Sequence, residues 1–154
     1  MRRLFYASFA YLVVGLASGV FFREFSVAHR FPSDRFTQLA VVHTHLLTLG
    51  FIVLLIVLLL EKVFVLSRSR WFGWFFWLYN AGLILTAAML TWHGSLTVMG
   101  HESTAMISGI AGVGHILLSA GMVFLFLALG RSIGWKRHET TPSNSSADGV
   151  QTNG

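Results

Sequence analysis

The chain has no cysteine in 154 residues. That absence excludes disulfides, zinc–thiolate sites, iron–sulfur clusters, cysteine nucleophiles and covalent c-type heme attachment. Charge is also scarce: 11% of residues are Asp, Glu, Lys or Arg, where a soluble domain carries about a quarter. Four runs hold no such residue: Leu4–Phe22, Phe36–Leu60, Trp71–His101 and Ser103–Gly130, of 19, 25, 31 and 28 residues. A helix needs about 20 apolar residues to cross a ~30 Å hydrocarbon core. The pattern therefore excludes a soluble enzyme, a disordered tail protein and a nucleic-acid binder. The runs are too long and lack the alternation of barrel strands. Because lipid leaves backbone polar groups no outside partner, helices are required.

The charges that remain are unevenly placed. If the amino terminus is cytoplasmic, the inside segments hold Arg2, Arg3, Lys62, Arg68, Arg70, Arg131, Lys136 and Arg137, eight of the 11 Lys and Arg. The first outer loop keeps Arg23, Arg30 and Arg35. This is the positive-inside asymmetry of a four-span protein with both termini cytoplasmic. The net charge of +5 reads as topology and not as a polyanion site. Arg2-Arg3 before an apolar stretch also has the form of a signal peptide, with Ala17-Ser18-Gly19 for cleavage. The run exceeds the 7–15 residues of a signal core, and Gly15-Leu-Ala-Ser-Gly19 has the small-xxx-small spacing of close packing in lipid. A retained helix is the better reading.

The expected fold is all-α: an integral membrane four-helix bundle over residues 1–130, with spans at about 4–22, 37–60, 71–92 and 105–129. Residues 131–154 are expected to form a basic, then polar, disordered cytoplasmic tail. Ser33 or Asp34 is the expected cap of the second helix, and Glu102 with Ser103-Thr104 that of the fourth. Trp71, Trp74 and Trp77 form an aromatic belt at the inner interface.

Six of the seven histidines fall on one side of the membrane: His29, His43, His45, His93, His101 and His115, with only His138 inside. The four runs contain no Asp, Glu, Lys or Arg, so imidazole is the main ionisable group at depth, and such a group marks function by default. His43 and His45, two apart on a helix, point about 200° apart. They cannot grip one ion from the same face. They suit two sites on opposite flanks, each supplying an axial ligand to a different heme or to a neighbouring subunit. Ser108-Gly109-Ile-Ala-Gly112-Val-Gly114 removes bulk beside His115, where a flat ring can approach the backbone.

The alternative for each residue is packing: a membrane histidine that only hydrogen-bonds a neighbouring helix. The same choice applies to two helical stripes, Ser8, Tyr11, Gly15, Ser18, Phe22 and Tyr79, Gly82, Thr86, Met89, His93, and to the face shared by Gln38, His45 and Thr48. They are either interhelical contacts or partners that orient a ligating imidazole. Met89, Met99 and Met106 are either core fillers or soft copper ligands. No Ser/His/Asp arrangement, paired carboxylates or phosphate loop is present, so hydrolysis and phosphoryl transfer have no support. The chain is not expected to be an enzyme on its own. No buried carboxylate and no broken mid-membrane helix pair is expected, which argues against an ion-coupled transporter.

The chain resembles a family of small four-helix bacterial membrane proteins of unassigned function, most visibly in Gln38-Leu-Ala-Val-Val-His43-Thr-His45-Leu-Leu-Thr-Leu-Gly50. The H-x-H-L-x-x-L-G pattern is also similar to heme-binding membrane proteins of the nitric-oxide response. More distantly it resembles the catalytic subunit of heme–copper oxidases, with His43, His45 and His93 on matching helices. One arc of helices stands here in place of three, and the oxidase His-His pair and cross-linked Tyr–His are absent. The resemblance implies b-type heme on the α-helical His43 and His45; His115, beside its glycine-rich stretch, is the further candidate heme ligand, and His93 with His43 is a possible copper or other metal pair. The resemblance also implies a homotrimer in the bacterial cytoplasmic membrane and an unspecified redox partner. Copper or zinc handling, and a cofactor-free assembly role, are the competing readings.

Overall fold

The computed structural model describes residues 1–101 and 105–139. Among them every regular element is helical: α1 (Arg2–Ala28), α2 (Leu39–His45), a π-helical segment (Leu46–Ile52), α3 (Val53–Phe64), a short 3₁₀ turn (Leu66–Arg68), α4 (Arg70–Val98) and α5 (Ala105–Glu139). α2, the π segment and α3 form one continuous rod. Four helices are long and apolar enough to cross a membrane: Arg2–Ala28, Leu39–Phe64, Arg70–Val98 and, within α5, Gly112–Gly134. The chain is thus an all-α, multi-pass membrane protein in architecture.

The helices outrun their apolar stretches. α1 continues through Arg23 and Glu24, α4 through Gly94 to Val98, and α5 through Arg131 to Glu139. Charge ends a membrane span but not a helix, because the i→i−4 backbone bonds continue in water. The basic start of the expected tail, 131–139, is therefore helical; the rest of the tail and the cap at Glu102–Thr104 lie outside the described residues.

The arrangement is an open row and not a closed bundle. The second span packs against both α1 and α4, α4 packs most extensively against α5, and α1 and α5 share no substantial contact. The small-and-polar stripes turn inward as expected: Ser8, Tyr11 and Gly15 on α1, and Tyr79, Gly82 and Thr86 on α4, are all buried. Phe75, Tyr79, Leu83, Leu118 and Leu125 form the α4/α5 part of the core. Glycine decides how close those backbones come. A Cβ on Gly82 would lie 2.7 Å from the Leu118 nitrogen and 2.8 Å from the Gly114 oxygen, and one on Gly121 would lie 3.0 Å from Tyr79 Cα. Gly109 and Gly112 have nothing within 4 Å of that position, so only part of the glycine-rich stretch is a helix–helix contact.

At the end of α3 the chain reverses through Val65, which adopts a left-handed conformation (φ 51, ψ 51). Glu61 holds the reversal: its Oε2 accepts a 2.9 Å bond from the Ser67 amide, and the residue is 2% exposed. This buried carboxylate, which the sequence did not lead us to expect, sits at the end of a span as a loop anchor. Ser132 Oγ donates to the neighbouring Phe64 carbonyl and ties α5 to the same corner.

Candidate functional site

The histidine-bearing end is positioned by the start of α2. Neither Ser33 nor Asp34 caps that helix; both are exposed. Thr37 does the work. Its buried hydroxyl accepts from the Leu39 amide at 3.3 Å and donates to the Gly94 carbonyl of α4 at 2.9 Å. The Leu39 backbone lies so close to Gly94 that any Cβ there would collide with it. A tertiary contact to α4, absent for Ser33 or Asp34, selects Thr37.

α2 then presents two imidazoles in different settings. His43 lies against α1, with its Cβ and Cγ 3.7 Å from where a Gly19 side chain would begin. Its Nδ1 is buried and has no hydrogen-bond partner. His45 Nδ1 lies 2.9 Å from the Val41 carbonyl of the preceding turn. A carbonyl only accepts, so Nδ1 carries the proton and Nε2 is the basic nitrogen. Both rings are half-buried.

Immediately after His45 the helix widens into the π segment. π turns are rare and occur frequently at functional sites. Two tyrosines brace this one. Tyr79 Oη donates to the Leu49 carbonyl at 3.0 Å. Tyr11 packs on Gly50, where an added Cβ would lie 2.5 Å from its ring. Tyr11 Oη in turn donates to Asn80 Oδ1 at 2.9 Å, and Asn80 Nδ2 donates to the Phe76 carbonyl at 2.6 Å. Sequence reasoning missed this network. Its traceable signal is the buried series Leu46, Gly50, Leu54. Each step of four drifts about 40° round an α-helix, and the wider turn of the π segment offsets that drift.

The other histidines are dispersed. His93 is half-buried within α4 and not at its end, and its carbonyl accepts from Thr97 Oγ1 at 3.1 Å. His115 is exposed on α5, one turn after the open flank of Gly112. His29 is exposed, with Nδ1 2.9 Å from the Phe25 carbonyl and its ring tilted by 42° against that of Phe25, centroids 4.2 Å apart. His101 is exposed. Among the described residues no three His, Asp or Glu side chains gather into a group able to hold a metal ion. A cavity of about 700 Å³ between α1 and α4 has no histidine in its lining.

The match to a family model covers residues 1–132, which include both histidines of α2, the π segment, the first three spans and all but the end of the fourth. The chain belongs to the family described as "Protein of unknown function (DUF2871)". No curated protein and no solved structure matches it. The likeness to heme–copper oxidases and to nitric-oxide-response proteins therefore gains no support from known relatives, and the chemistry of this family member has to be argued from its own residues.

Proposed function

We propose that the chain is an integral membrane protein that binds b-type heme, with His45 as the principal axial ligand and His43 and His115 as the further ligands. The observation that carries this reading is the state of His45. A ligating imidazole typically donates its second N–H to an outer partner, which fixes its tautomer. The Val41 carbonyl does this for His45 and leaves Nε2 for iron. The unpartnered Nδ1 of His43 adds to it, since leaving a buried nitrogen unsatisfied costs about 1–3 kcal/mol. Heme would supply one-electron exchange or gas ligation, suiting electron transfer or heme and gas sensing.

The two imidazoles occupy different flanks of one rod, so one chain offers each heme one ligand from α2. A homo-oligomer, with the trimer suggested by the oxidase likeness, would complete the coordination by placing a second copy against that flank. The excess of Arg at the termini end favours a cytoplasmic position for both termini in a bacterial inner membrane. A copper or zinc role is less favoured, because no three-ligand group forms within the described residues.

Alanine substitutions of His43, His45 and His115 in heme-loaded, detergent-purified protein test the assignment. His45→Ala is expected to abolish or strongly weaken the heme absorption band. A band lost only in His115→Ala would refute the choice of ligand.

A further inference from the structure

At the termini end, a recess of about 690 Å³ opens between the first turn of α1 and the start of α4. Arg2, Arg3, Arg68 and Arg70 line it, with Ser67 and Ser69. Arg2, Arg3 and Arg70 form no ion pair among the described residues. The nearest anchored carboxylate, Glu61, is buried and accepts from the Ser67 amide. The recess is strongly and uniformly cationic.

About one helical turn further along the same two helices lies a cavity of about 700 Å³ between α1 and α4. The lining passes from Leu4 to Ala7 on α1 and from Phe76 to Asn80 on α4, about one turn in each case. That upper cavity is walled by small residues, Ala10, Ala17 and Ala88 among them. Its polar side chains are already committed. Tyr11 Oη donates to Asn80 and Asn80 Nδ2 to the Phe76 carbonyl. Ser18 Oγ donates to the Gly15 carbonyl and Thr91 Oγ1 to the Ala87 carbonyl. Apart from the second N–H of Asn80 Nδ2, the groove offers an occupant hydrocarbon and no spare donor.

Its length bears on the occupant. From Ala7 to Phe21 on α1 it runs ~21 Å, longer than the ~15 Å of one leaflet. An apolar groove of this length, with arginines at its inner end, suits an acyl chain that carries an anionic headgroup.

We infer that this recess and the groove next to it together bind an anionic phospholipid. Its phosphate lies among Arg2, Arg3 and Arg70, and one acyl chain lies between α1 and α4. Basic pockets at helix ends hold anionic headgroups by charge, and the groove adds shape. The site shares no residue with the proposed heme ligands, so either reading can fail while the other stands.

The test uses the full chain, delipidated in detergent and titrated with phosphatidylglycerol or phosphatidylcholine, with bound lipid read by native mass spectrometry. Phosphatidylglycerol is expected to bind at least about tenfold more tightly. R2Q/R3Q/R70Q should erase that preference, and Ala10→Phe, at an exposed groove position, should weaken both lipids. Circular dichroism verifies that each variant is folded. Equal binding of the two lipids by the unaltered chain would overturn the inference, as would a preference that survives in the triple variant. So would an Ala10→Phe variant that binds normally, or displacement of the lipid by inorganic phosphate alone.

Discussion

Replacing Gly82 with alanine should destabilise the protein, and replacing Gly130 with alanine should stabilise it. Both residues sit inside long helices, so each substitution gains the ~0.5–1 kcal/mol by which alanine exceeds glycine in a helix interior. They differ in what the methyl group meets. At Gly130 nothing lies within 4 Å, so the gain stands alone. At Gly82 the new carbon lies 2.7 Å from the Leu118 nitrogen and 2.8 Å from the Gly114 oxygen. That is about 0.8 Å inside the ~3.5 Å at which dispersion contacts are favourable. Both obstacles are backbone, so no rotamer change relieves them and α4 and α5 must separate. The separation loosens the packing of Tyr79, Leu83 and Leu118 along the same interface. Overpacking of this kind costs about 1–3 kcal/mol, which leaves a net loss of up to about 2.5 kcal/mol after the helical gain. Reversible unfolding in mixed micelles measures both variants. Equal stabilisation of the two would refute the close α4/α5 approach on which the core of the molecule depends.

Tyr79→Phe removes the donor to the Leu49 carbonyl; a loss of about 0.6–1.7 kcal/mol is expected, the range found for interhelical bonds in membranes. Amide exchange should rise in the π segment in particular, and unchanged protection there would show that the bond does not brace it. Val65→Gly relieves a β-branched residue held at φ 51 and should raise stability by about 1–2 kcal/mol. A neutral or negative change in the same unfolding assay would contradict the left-handed geometry of that reversal.

The spans were legible because charge is costly in lipid and had been removed from four long runs. The inward stripes were legible because small and polar residues at helical spacing serve helix–helix contacts, and Tyr11, Tyr79 and Gly82 do so. The ends of the helices were not, since Arg23, Glu24 and Arg131 end a span without breaking a helix. Nor was the Thr37 cap, which depends on where Gly94 of α4 comes to lie. The π segment escaped because Leu46–Ile52 has the same composition as an α-helix and differs only in which carbonyls find partners. The histidines were found as residues, and their distribution was not. His43 and His45 do occupy different surroundings on one short helix, as their spacing of two requires. His93 and His115 sit on other helices, and nothing in a one-dimensional pattern says how far apart an open row of helices keeps them.

We propose that the imidazoles of this cysteine-free membrane protein serve heme. That reading is tested most directly by the absorption spectrum of the full chain, produced with ample heme, purified in detergent and recorded oxidised and dithionite-reduced. A Soret band that shifts on reduction and is lost in His45→Ala is expected. A spectrum without any Soret band would contradict the proposal.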